Sequence, residues 1–292
     1  MDVIRVLILE DDRYIQEVVR AQLEKSKIWK FQMTFIEYME EALKLKDTGL
    51  FDIFLADLEL PDSTKDSTLR ILKNEFRQIP FVILTGHDDD SLLLQSLEAG
   101  ASDYLSKEYL SQGALLSRTL FNALEHWKIL QELEYTATHD TLTGAVNKSH
   151  FMKILKGKIE MAAYDDKPFC LAMCDLDDFR NINNSYGHMT GDRALILFVE
   201  TVMERIRTKD TMGRFGGDEF CLIFPDTEKE KCRRYLNKLT SLKIELPGMI
   251  PVKGSYGGAQ FHKGMSAEEL IITADKALYQ VKSEGKGFSR VL

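Results

Sequence analysis

Apolar residues in the first hundred positions come in short blocks: VIRVLIL at 3–9, FQMTFI at 31–36, DIFLA at 52–56, FVILT at 81–85 and SDYLS at 102–106. Between them the apolar positions take the spacing of amphipathic helices. Blocks of this length alternating with helical stretches predict a parallel sheet covered on both faces, a doubly wound (βα)5 unit. From about Gln112 to Thr138 the pattern changes. The segment ALLSRTLFNALEHWKILQELEYTA holds no glycine or proline, and Leu116, Leu120, Ala123, Trp127, Leu130 and Glu134 recur at a three-four spacing. That predicts one long helix, whose seam suits either its own domain or the same helix of a second subunit. Beyond the breaker residues of DTLTG, helices and strands mix less regularly, as in an α+β domain. The organisation expected is a domain over 1–112, a helical linker over 113–138 and a second domain over 139–292.

The totals agree with two domains. The chain has 292 residues, 44% of them hydrophobic, and about 150 residues make a typical domain. No apolar run approaches the roughly 18 residues of a membrane span, and MDVIRVLILEDD enters an acidic stretch with neither a basic region nor a cleavage site. The expectation is a cytoplasmic protein with no membrane partner. A formal net charge of −8 opposes broad attachment to phosphate backbones or anionic lipid, so no DNA partner is expected. Of the four cysteines, Cys170 and Cys174 read as core positions in the apolar run FCLAMC, and no zinc-ligand spacing accompanies these two, Cys221 or Cys232, so neither a metal nor a disulfide role is expected.

In a parallel sheet, ligands bind beyond the carboxyl ends of the strands. Glu10 and Asp11 follow the first strand with Asp12 beside them, Asp57 ends the third, Thr85 ends the fourth, and Lys107 follows the fifth. Carboxylates gathered there repel one another unless a hard cation such as Mg2+ holds them. Lys107 and the Thr85 hydroxyl would then grip a phosphoryl group carried by Asp57 as a carboxylate nucleophile. These residues resemble the receiver domain of two-component response regulators. The resemblance implies Asp57 as phospho-acceptor, one Mg2+ held by Glu10, Asp11, Asp57 and Glu59, Thr85 and Tyr104 as switch residues, Lys107 as the phosphate-pairing lysine, and a cognate sensor histidine kinase as partner. Two departures stand out: LPDSTKDSTL lacks a glycine, and Glu108 occupies the usual proline position.

The second domain carries RFGGDEF at 214–220 between two apolar strands. Gly216 and Gly217 supply the positive φ of a tight hairpin and let backbone approach a ligand, with Asp218 and Glu219 at the tip. Upstream, PFCLAMCDLDDFRNIN is an apolar strand running into acids from Asp175. Bringing that strand end beside the hairpin gathers three carboxylates, a Mg2+ site of the kind used on nucleotide phosphates.

With DTLTGAVNKSHF, DLDDFRNINNSYGHMTGD, RTKDTMGRFGGDEF and DKALYQVKSEGKG in order, the half from about Tyr135 to Leu292 resembles the GGDEF diguanylate cyclases, with a mainly antiparallel central sheet flanked by helices. The resemblance implies two Mg2+ ions per half-site (Mn2+ able to substitute) on Asp175, the Leu176 carbonyl, Asp218 and Glu219, with Glu219 helping to deprotonate the attacking 3′-hydroxyl. It implies GTP contacts from Phe179, Arg180, Asn183, His188, Asp192, Gly216, Gly217, Lys282 and Lys286, Asn183 and Asp192 reading the guanine edge. RTKD at 207–210 matches a product-inhibition site, Arg207 and Asp210 holding cyclic di-GMP. Arg180 stands where lysine is commoner, Lys286 where arginine is, and Ala145, Lys148 and Ser149 depart from the family pattern.

The function expected is a phosphorylation-regulated cyclase that turns two GTP into cyclic di-GMP and two pyrophosphates across a homodimer. The alternative from another class is a catalytically silent effector that binds GTP or cyclic di-GMP. A transcription factor lacks its basic recognition helix. The tripeptide Glu41-Ala42-Leu43 sits on a predicted helix of the first domain and reads as packing.

Overall fold

The computed structural model describes residues 3–46, 48–86, 95–96, 98–165, 167–248 and 250–292. The chain divides into two compact units, Met1–Glu132 and Leu133–Leu292.

In the first unit, β1 (Val3–Leu9), β2 (Lys30–Ile36), β3 (Ile53–Asp57), β4 (Phe81–Thr85) and β5 (Asp103–Ser106) form one parallel sheet in the order β2-β1-β3-β4-β5. Successive side chains of a strand point to opposite faces. Ile4, Val6 and Ile8 accordingly join one core with Val19 and Leu23 of α1 (Arg13–Glu24), while Leu7 and Leu9 join another with α2 (Met39–Leu45) and α3 (Lys65–Glu75). Strand order reverses between β1 and β3, so their carboxyl ends flank the crevice where such sheets bind ligands. Asp12 caps α1, its Oδ1 accepting from the Tyr14 amide at 2.7 Å.

Helix α4 (Leu115–Thr138) begins three residues later than the sequence pattern implied, after a turn in which Gly113 takes φ 57°. Leu116, Leu120, Ala123 and Leu124 are buried in the first unit's core. The predicted seam ends there: Ile129, Leu130 and Leu133 are about half exposed. Spacing identifies an apolar face but not how far along it a neighbour reaches.

In the second unit, six strands run in the order β13-β12-β7-β9-β8-β6, from β6 (Val146–Asn147), β7 (Phe169–Leu176), β8 (Thr211–Gly216), β9 (Glu219–Pro225), β12 (Gly254–Gln260) and β13 (Ser289–Val291). The three central pairings are antiparallel and the two outer ones parallel. A separate hairpin joins β10 (Ile244–Leu246) to β11 (Ile250–Val252). On β7, Cys170, Ala172, Cys174 and Leu176 face α7 (His188–Met203) and α8 (Lys229–Thr240), which follow the short α6 (Phe179–Tyr186). Phe169, Leu171 and Met173 face α5 (Lys148–Asp165) and α9 (Ala267–Glu284). Helix α9 lies directly on the β12 backbone: a Cβ at Gly257 would stand 2.0 Å from the Leu278 nitrogen. All four cysteines are free and buried in these cores. No helix among the described residues is long and apolar enough to cross a membrane.

Candidate functional site

The side-chain alternation of β7 decides where its acids go. Asp175 continues the parity of Leu171 and Met173, so it leaves the core on the α9 side, and Asp177 follows on the same side. There Lys282 of α9 meets both: its Nζ donates to Asp175 Oδ1 at 2.5 Å and to Asp177 Oδ1 at 2.8 Å. Asp177 is buried, and also accepts from the Ser255 hydroxyl at 2.7 Å and the Gly287 amide at 3.1 Å.

Asp175 stands directly opposite Glu219 in the antiparallel β7–β9 pairing, and the Leu176 amide donates to the Asp218 carbonyl at 3.2 Å. The strand end and the glycine corner are therefore adjacent. Gly216 (φ 152°) and Gly217 (φ 53°) make the turn. Glu219 is not at its tip as expected: it opens β9, paired with Gly216, and leaves Gly217 and Asp218 as the corner. Burial pushes the Glu219 carboxyl upward, and the charges of Asp175 and Asp218 add to it. Burial likewise raises Asp175, against the opposing pull of Lys282.

Side-chain spacing is looser than the sequence suggested. Among the described residues, the one acidic group whose ligand oxygens all lie within 4.8 Å of one another is Glu10, Asp11 and Asp57 of the first unit. Asp175, Asp218 and Glu219 do not close to that spacing. Their donor set, hard oxygens beside the Leu176 backbone, still fits Mg2+.

Around that corner, Phe179 and Arg180 open α6, preceded by Asp178 in the left-handed region at φ 56°. Lys286, also left-handed at φ 63°, donates to Asp178 at 2.9 Å. Lys282 and Lys286, both expected to contact GTP, thus hold carboxylates. Asn183 lies on α6; His188 and Asp192 lie on the first turn and a half of α7, His188 exposed.

Arg207 grips Asp210 through Nε and Nη2 at 3.0 and 2.6 Å, and its guanidinium lies 4.8 Å over the Tyr235 ring. Beside it is a cavity of about 220 Å³ to which Arg205 and Lys238 add cations.

In the first unit, Lys107 Nζ donates to Asp57 Oδ2 at 2.7 Å and to Glu10 Oε1 at 3.0 Å. Glu10 Oε2 is sealed from solvent and lies 2.8 Å from the Lys107 ammonium. Burial pushes the Glu10 carboxyl up to about 7, Lys107 opposing it and the Asp57 charge reinforcing it. Three carboxylates, Glu10, Asp11 and Asp57, with ligand oxygens within 4.8 Å of one another fit a hard cation. Glu59 points elsewhere, pairing with Lys65 at 3.1 Å. Thr85 is buried at the end of β4, and Tyr104 on β5, paired with Ile83, packs partly buried against the same core.

Sequence reading missed Asp177, Arg214 and Asp140. Asp177 was legible, because two residues on from Asp175 in a strand means the same face. The Arg214–Asp140 pair, at 2.9 Å, spans 74 residues and carries no local signal.

Comparison with known proteins follows this geometry. The model of the response regulator receiver domain matches residues 6–119, and that of the diguanylate cyclase GGDEF domain matches residues 137–287. Response regulator PleD of Caulobacter vibrioides is 27% identical over 303 residues, 97% of this chain and 64% of its own length. Diguanylate cyclase DgcS of Shewanella oneidensis is 34% identical over 59% of this chain and 57% of its own. The bifunctional diguanylate cyclase/cyclic di-GMP phosphodiesterase MucR of Pseudomonas aeruginosa is 34% identical over 59% of this chain, but only 26% of MucR is spanned. The chain thus spans less than two thirds of each. Among solved structures, a microbial GGDEF domain studied with cyclic di-GMP is 30% identical with a TM-score of 0.50, covering 55% of this chain and 99% of that one. The coiled coil and GGDEF domain of DgcB from Caulobacter crescentus shares the fold at TM-score 0.56 and 24% identity, over 61% of this chain and 98% of that one. On the match over residues 137–287, this chain belongs to the diguanylate cyclase GGDEF-domain family, with a response regulator receiver domain preceding that domain.

Proposed function

We propose that the protein is a diguanylate cyclase that joins two GTP molecules into cyclic di-GMP with release of two pyrophosphates. One observation carries this reading: Asp175 and Glu219 face each other across β7 and β9 beside the Asp218 corner. In each half-reaction a 3′-oxygen bonds to the α-phosphorus of the other nucleotide, the bond to the β-phosphate breaks, and pyrophosphate leaves. Glu219, raised by burial and neighbouring charge, receives the hydroxyl proton, since a carboxylate of raised pKa is the better base. Asp175, the Leu176 carbonyl, Asp218 and Glu219 would hold Mg2+, which when bound would supply charge neutralisation at the triphosphate and a lower pKa for the attacking hydroxyl. Lys282 and Lys286 exchange their carboxylate partners for phosphate oxygens, and the N–H groups opening α6 at Phe179 and Arg180 add donors. His188 and the Gly216–Gly217 backbone line the nucleotide, while Asn183 and Asp192 read guanine.

Each site holds one GTP, so turnover requires two copies face to face. Transfer of phosphate to Asp57 from a sensor histidine kinase, sensed through Thr85, Tyr104 and Lys107, regulates that encounter through α4. The domain limits 1–112, 113–138 and 139–292 belong to this proposal. Incubating the purified protein with GTP and Mg2+, with and without acetyl phosphate, tests it. Cyclic di-GMP is expected, and Glu219→Gln is expected to lower its formation at least about 100-fold while retaining GTP binding. No cyclic dinucleotide at high protein concentration, with GTP still bound, would favour the binding effector.

A further inference from the structure

Gly191 sits inside α7 with ordinary helical backbone, absent from the glycines of positive φ. Local physics favours alanine there, since glycine inside a helix is less stable by about 1 kcal/mol. Space explains the glycine instead. A Cβ at 191 would stand 1.9 Å from Asn183 Oδ1 and 2.9 Å from its Cγ, with Phe179 Cζ next at 3.3 Å. The obstacle to any side chain at 191 is thus the Asn183 carboxamide itself.

That carboxamide is peculiar in a second way. Its Oδ1 is sealed from solvent and accepts no hydrogen bond, a state that is uncommon and unfavourable for a buried oxygen. Asn183 is therefore wedged over a bare Cα at the expense of its own hydrogen bonding. The next residue along α7 is Asp192. The seat fixes the carboxamide relative to the helix that carries the second base-reading group, with only Gly187 joining α6 to α7.

We propose that Gly191 is a positioning residue for base recognition: its missing side chain is the socket that holds the Asn183 carboxamide beside Asp192. The inference rests on the nucleotide reading above. Any Cβ at 191 expels the carboxamide and weakens guanine binding, leaving the carboxylate and lysine contacts to the triphosphate in place.

Calorimetric binding of GTP and of inosine triphosphate, which lacks the exocyclic amine, tests this without turnover. The wild type is expected to prefer GTP, and Gly191→Ala to lose about tenfold in affinity for both nucleotides, the value of one or two hydrogen bonds, because the carboxamide group left outside the seat is a donor and meets acceptors that both bases carry. In turnover the same variant raises KM for GTP with little change in kcat. The double variant Asn183→Ala/Gly191→Ala removes the clash and is expected to unfold at the temperature of Asn183→Ala and to bind both nucleotides as that single variant does. It reports even where Gly191→Ala alone fails to fold. Unchanged affinity for both nucleotides in a folded Gly191→Ala protein would overturn the inference alone, as would a tenfold further loss in the Asn183→Ala background. A wild type that does not distinguish the two nucleotides would overturn the guanine reading and this inference together.

Discussion

Arg214 ties Asp140 to the glycine corner. Its Nη1 donates to Asp140 Oδ1 at 2.9 Å, while Nε and Nη2 donate to the Gly217 carbonyl at 3.1 and 2.8 Å. Asp140 also accepts from the Thr143 amide and hydroxyl. The carbonyl just before Asp218 is thus fixed to the DTLTG turn by one planar side chain. Arg214→Ala leaves a partly buried carboxylate without its counter-ion, and an expected loss of about 1–3 kcal/mol follows, measured by urea denaturation. Lysine lacks the fork that spans both partners, so Arg214→Lys is expected to recover only part of it.

The same pair sets an acid limit. Burial alone would raise Asp140, but the bonds from Thr143 and Arg214 outweigh it and hold the carboxyl below its usual range. A depressed carboxyl contributes stability that is present above the unfolded pKa and is lost as pH falls through the folded one. The stability gap between wild type and Arg214→Ala is therefore expected to be constant near neutrality and to shrink below about pH 4. Melting temperatures of both proteins from pH 7 to pH 3 check this.

Asp177 has three partners: Lys282, Ser255 and the Gly287 amide. Removing it leaves Lys282 with Asp175 alone and the Gly287 amide with the Ser255 oxygen alone, and deprives the buried Ser255 hydroxyl of its acceptor, so Asp177→Ala is expected to lower stability by about 1–3 kcal/mol. Asp177→Asn keeps acceptors for the neutral donors and is expected to fall between. Chemical denaturation of both variants provides the measurement, and a wild-type midpoint for Asp177→Ala would contradict the assignment.

Arg207 is held over Tyr235 at the edge of a cavity with two additional cations. If cyclic di-GMP binds there, Arg207→Ala is expected to weaken it about ten- to a hundredfold, the range for hydrogen bonds to charged groups. Titration in the Glu219→Gln background excludes turnover. Unchanged affinity would place the dinucleotide elsewhere.

Phosphoryl transfer to Asp57 is checked with radiolabelled acetyl phosphate. Wild type is expected to take up label, and Asp57→Asn none. Label retained by Asp57→Asn would move the acceptor to another side chain.

The hydrophobic pattern alone determined the parallel sheet, the long helix and the positions of the strand-end acids, because side-chain period and turn chemistry act between near neighbours along the chain. Glu10 and Asp57 were legible together for the same reason: strand ends of a βα repeat converge by topology. Tertiary structure decided what each charge meets. Lys282 lies 107 residues from Asp175 and Arg214 lies 74 from Asp140, and such pairs form only once helix α9 and the hairpin have packed. Where the buried seam of α4 stops, which carboxylates close to metal-ligand spacing, and why residue 191 is glycine all depend on distances between elements, which no local pattern records.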